Sequence, residues 1–126
     1  MCKKLNSNLG ISLTSLSGRI LIYRTTLAAL DWPEYVRVLL DVKRRKMAVQ
    51  VCSIDDPGAN KVTIEESEVK KDYRITSKCL FDMIYAVCGW DTEKSYSCRG
   101  KLIEEHNLVE FELDFATVIF SRGTED

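Results

Sequence analysis

One order of residue types occurs twice in this chain of 126 residues, and that recurrence restricts the possible folds more than any single motif does. Arg19-Ile20 returns as Arg74-Ile75 after 55 positions, Trp32 as Trp90 after 58, and Tyr35 as Tyr96 after 61. Between the matched positions each copy reads as a short strand, a helix, a few polar residues and a β-hairpin. The extra residues of the second copy fall in its helix and in loops, where insertions are tolerated. Half of the chain, roughly 60 residues, buries only a marginal apolar area alone. The two copies, at about 11–54 and 72–120 with a polar connector over 55–71, are therefore expected to pack together as one compact domain spanning 1–126.

Residues 11–14 alternate as a strand, Ser17-Gly18 marks a turn, and residues 19–23 are strongly β-forming. Residues 25–30 predict a short helix with Thr25 or Thr26 as its cap, ended by Asp31-Trp32-Pro33 because proline disfavours helical geometry at the residue before it. Two apolar-rich runs flank the basic tip Val42-Lys43-Arg44-Arg45 and predict a hairpin. The run from Asp55-Asp56-Pro57-Gly58 to Asn60 is turn punctuation and opens the connector.

In the second copy, residues 73–76 predict a strand, Ser77 a cap, and residues 78–88 a helix with Leu80, Met83, Ile84 and Val87 at helical spacing, stopped by Gly89. Ser95 to Cys98 leads through Arg99-Gly100 into a second hairpin-like region. It ends in the alternating run 108–114, whose acidic residues are expected to face water. The fold class expected is α+β, mainly β, with two short helices.

Apolar residues at 45% with 29% charged are ordinary for a globular chain, so a packed core is expected. No run approaches the roughly 18 apolar residues that span a bilayer, and residues 1–8 lack an apolar signal core, so a cytoplasmic protein without a membrane partner is expected. Cys2, Cys52, Cys79, Cys88 and Cys98 are odd in number and form no C-x-x-C pair, which reads as buried or half-buried free thiols. His106 is the single histidine, beside Glu104 and Glu105, with no cysteine or second histidine at ligand spacing. No nucleophile–base arrangement or phosphate-cradling glycine loop is present, so neither an enzyme nor a cofactor or metal site is expected.

The net charge of −1 argues against indiscriminate coating of nucleic acid, which needs many phosphate contacts. That total hides an asymmetry. Residues 1–60 hold nine Lys/Arg against five Asp/Glu, giving +4, and residues 61–126 hold nine against fourteen, giving −5. Room is left for one basic face.

The run Gly18-Arg19-Ile20-Leu21-Ile22, then a short helix ending at Leu30 and a β-hairpin, resembles the amino-terminal DNA-binding unit of the AbrB/SpoVT and MraZ proteins. The resemblance covers about residues 11–52 and, more faintly, 72–115. It implies a pseudo-twofold swapped-hairpin β barrel made from tandem copies in one chain, either a monomeric pseudo-dimer or a homodimer. Pairing two units would close a barrel and hide the strand edges that one unit exposes. Tyr23 stands where the family usually has proline, Asp31 where it often has glycine, and Leu27-Ala28 roughly where it places arginines that touch DNA. Arg19 matches the motif arginine, and Arg74 matches it through the repeat.

The resemblance implies a DNA-binding transcriptional regulator, with double-stranded DNA as partner. Arg19 and Arg74 are expected at matching places, where they either reach phosphates or guanine edges or pair with carboxylates at the barrel ends. Arg24, Arg37 and Lys78 are candidate helpers. Lys43, Arg44 and Arg45 can form a phosphate-binding tip, although a basic hairpin tip is more often simply solvated. Trp32 and Trp90 read as core pieces below the helix ends. The alternative function is a protein-interaction module of a mobile element or phage that keeps the barrel, does not bind DNA, and acts on a host protein through its acidic half.

Overall fold

Residues 9–15, 18–62 and 73–121 are described by a computed structural model of the chain. Cys2, Ser17 and residues 63–71 of the expected connector lie outside the described residues. Period-two patterning places the strands: Ile11 and Leu13 of β1 (Gly10–Thr14) and Ile20 and Ile22 of β2 (Arg19–Ile22) are fully buried, while Arg19 between the turn and Ile20 is exposed. Helix α1 (Arg24–Ala29) follows, then a hairpin of β3 (Tyr35–Asp41) and β4 (Lys46–Val51). A two-residue strand, β5 (Asn60–Lys61), lies within the stretch expected to be only a connector. The second half comprises β6 (Tyr73–Thr76), α2 (Lys78–Cys88), β7 (Lys94–Ile103), β8 (Leu108–Glu112) and β9 (Thr117–Ser121).

All pairings are antiparallel, and the strands form a curled sheet in the order β5-β3-β4-β8-β7-β1-β2-β6, with β9 alongside β7. Hairpin β3–β4 from the first half thus lies between connector strand β5 and β8 of the second half, and hairpin β7–β8 lies between β4 and β1 of the first. The buried side chains of both halves form one cluster, from Ile11 and Val49 to Ile84 and Phe111. The mainly β, α+β class is therefore observed, with two α-helices among the described residues.

The sequence suggested a transition at Arg99-Gly100, but β7 runs through it without a break. A side chain at Gly100 would put its Cβ 2.5 Å from Val109 and 2.7 Å from the Phe111 ring, so the missing Cβ lets β8 seal the core across β7. The expected cap of α1 is also corrected. Tyr23 precedes the helix with no side-chain cap, and Thr26 is buried inside it. Its Oγ1 accepts from the Gly10 amide at 2.8 Å and donates to the Gly10 carbonyl at 2.9 Å, pinning α1 to β1.

In α2, Ser77 does cap, accepting from the Leu80 amide, and Gly89 ends the helix in the left-handed region at φ 67°. The buried face is Phe81, Ile84 and Tyr85, while Met83, expected inside, is 44% exposed. Tyr85 stacks on Phe81, and its hydroxyl donates to the Lys94 carbonyl at 2.6 Å, tying the helix to β7. No helix among the described residues is long and apolar enough to cross a membrane.

Candidate nucleic-acid interface

The pairing of β2 with β6 sets the geometry at the two motif arginines. Arg19 stands opposite Thr76 and Leu21 opposite Arg74, flanking the pair Ile20–Ile75 whose side chains enter the core. Residues paired across an antiparallel ladder share a face, so Arg19, Leu21, Arg74 and Thr76 form a two-by-two block on the outside of the sheet. The arginines occupy diagonal corners, a separation of about 7–8 Å along such a diagonal. Both are exposed, and among the described residues their side chains have no hydrogen-bond or ion-pair partner.

Arg24 and Lys78 open the helices that directly follow β2 and β6, and both are exposed. Lys78 Nζ lies 3.0 Å from Asp82 Oδ2, one helical turn on. These four cations therefore belong to one strand pair and the helix starts that leave it.

The other candidates lie elsewhere in the sheet. Between β4 and β2 stand β8, β7 and β1. Half-buried Arg37 donates from Nε to Gln50 Oε1 at 3.0 Å, and Gln50 Nε2 donates to the His106 carbonyl. At the hairpin tip Arg44 meets Asp41 at 3.3 Å, and Arg45 forms a two-pronged contact with Asp114, at 2.7 and 3.1 Å. Lys46 stands 3.9 Å from Glu110 and 4.0 Å from Glu112.

These contacts shift acid equilibria in the expected sense. The Arg45 hydrogen bond holds the Asp114 carboxyl below its ordinary range, and the Arg44 backbone amide, first among its causes, does the same for Asp41. The tip is largely neutralised by its own protein, and only the Lys43 side chain there has no partner among the described residues. A phosphate-binding tip is thereby weakened, in line with its reading as a solvated turn.

Sequence reasoning missed Thr76, which carries no motif of its own and becomes visible only through the β2–β6 register. It also missed a groove of about 570 Å³ along α2, walled by Phe81, Tyr85 and Trp90 with Lys78 and Asp82 at its rim. Trp90 stacks on Tyr96 with ring centroids 4.2 Å apart and meets Tyr85 edge-on, and Trp32 is half-buried against the core. Both tryptophans are thus engaged in packing. Cys52, Cys79, Cys88 and Cys98 are free thiols; Cys98 is pushed up to about 11 by burial, whereas Cys79 is exposed, against expectation. Among the described residues no three His, Cys, Asp or Glu side chains converge as metal ligands. No protein-family model, curated protein or solved structure matches the chain.

Proposed function

We propose that this chain is a DNA-binding transcriptional regulator built from two tandem AbrB/MraZ-like units, contacting duplex DNA through Arg19 and Arg74. The observation that carries the reading is the contrast in neutralisation. Arg44, Arg45 and Lys78 stand against carboxylates, while Arg19 and Arg74 share an exposed face and have no carboxylate partner among the described residues. Two like charges held this close without a counter-ion favour an anion between them.

The strand order supports the tandem architecture. Exchanging β1 with β5, β2 with β6, β3 with β7 and β4 with β8 converts six of the seven pairings along the sheet path into observed pairings. The seventh, β1–β2, would become β5–β6, which is joined by residues outside those described. With the 55-residue offset, Ile20 faces its own counterpart Ile75 at the centre of the β2–β6 ladder. The pairing of β4 with β8 and of β7 with β1, each joining a hairpin of one half to a strand of the other, supports a swapped-hairpin arrangement within one chain.

The test is fluorescence anisotropy with random duplex DNA and with the protein's own upstream region, at low and near-physiological salt. Salt-sensitive binding that prefers the upstream region supports a regulator, and no binding at low salt overturns it. A second reading, an interaction module acting on a host protein, is favoured by the self-neutralised hairpin tip and by the exposed Glu104 and Glu105 of the second hairpin.

A further inference from the structure

The block that holds Arg19 and Arg74 has a third polar corner. Thr76 is directly opposite Arg19 and two residues from Arg74 on the same strand face, so its short side chain adjoins both guanidinium stems. It is exposed, and its hydroxyl has no hydrogen-bond partner among the described residues. The neighbours across β1 are Thr14, opposite Arg19, and Ser12, opposite Leu21, so among the described residues no carboxylate stands on this part of the face. The remaining corner, Leu21, is half-buried and adds no competing hydrogen-bonding group. Two cations and one hydroxyl therefore share one exposed face with no acid beside them among the described residues.

Resting on the nucleic-acid reading, we propose that Arg19, Arg74 and Thr76 form a cradle for one backbone phosphodiester, with the Thr76 Oγ1 hydrogen donated to a non-bridging oxygen that the two guanidinium groups also approach. The contact reads backbone and not base edges, because the three donors are grouped on one exposed sheet face, whereas readout of a guanine edge needs an arginine extended into a groove. Thr76 is a binding residue of the site, and its contribution is distinct in kind from that of the arginines. A neutral hydroxyl displaces no counter-ion, so it affects affinity without affecting salt dependence.

Anisotropy of a labelled duplex against salt separates these contributions. Thr76→Val is expected to weaken binding about three- to tenfold, the range for loss of one typical hydrogen bond, with the slope of log affinity on log salt unchanged. Thr76→Ser is expected to return it to within about twofold. Wild-type affinity in Thr76→Val, with binding lost in Arg19→Ala/Arg74→Ala, overturns the cradle and leaves the DNA reading standing. Inorganic phosphate gives a probe independent of DNA. At equal ionic strength in phosphate and chloride, the Tm gain from phosphate should be largest in wild type, smaller in Thr76→Val and absent in the double arginine variant. Equal gains in all three proteins overturn the cradle whatever the duplex does.

Discussion

Whether a surface arginine is available to a ligand depends first on the carboxylates its own fold places beside it. Arg45 is held at 2.7 Å by Asp114, a residue 69 positions away, and Arg44 by Asp41, whereas Arg19 and Arg74 face hydroxyl and aliphatic neighbours. The Arg45 contact lowers the Asp114 pKa in the folded state. Its stabilising contribution is therefore present above the ordinary value near 3.8 and lost as the pH falls through the lowered one. In Arg45→Ala the Asp114 titration followed by NMR should move up towards 3.8; an unchanged midpoint would remove Arg45 as the cause.

A buried residue gives a second test at this scale. Thr26→Val keeps the shape but leaves the buried Gly10 amide without its acceptor, while the Gly10 carbonyl keeps the Tyr23 amide, and the change costs about 1–3 kcal/mol in a denaturant titration. Arg19 and Arg74 stood out in the sequence because an Arg-Ile pair recurs. Their adjacency to one another and to Thr76 was not, since it depends on a register between strands more than fifty residues apart.

Hairpins and helices were more readable than their exact faces. Along α2, Leu80, Met83, Ile84 and Val87 satisfy helical spacing, but so do Phe81, Ile84, Tyr85 and Cys88. The second set lies inward because its aromatic rings bury more area and Tyr85 finds a carbonyl for its hydroxyl, so spacing alone could not choose. In α1 a threonine that looked like a cap spends its hydroxyl on β1 instead, a tertiary contact no local pattern announces. β5 is only two residues long, and the acidic alternation of 108–114 gives no notice of β9 after it. The β7–β8 pair has a sharp steric requirement. Gly100→Ala would drive a methyl group into Val109 and Phe111 and should destabilise the protein by about 1–3 kcal/mol on urea unfolding, with wild-type stability contradicting the tight closure described.

For the molecule as a whole, neither half keeps its hairpin to itself. β7–β8 lies between β4 and β1 of the first half, β3–β4 pairs with β8 of the second, and one buried cluster draws on both halves. The recurring pattern in the sequence did not say which strands would neighbour which, because strand order is settled by pairings between residues far apart in the chain. The same topology separates the β2–β6 cations from those of the β3–β4 hairpin, and Arg19 and Arg74 of the first group have no carboxylate partner among the described residues. The central claim is that this first group contacts nucleic-acid phosphates. Its most direct test is the salt slope of duplex binding, measured for wild type, Arg19→Ala/Arg74→Ala and Lys43→Ala/Arg44→Ala. Each phosphate contact contributes about 0.9 to the slope, so the first variant should lose about two units and most of its affinity while the tip variant keeps a near-wild-type slope. An unchanged slope in the Arg19/Arg74 variant, or the loss appearing only in the tip variant, would contradict the account.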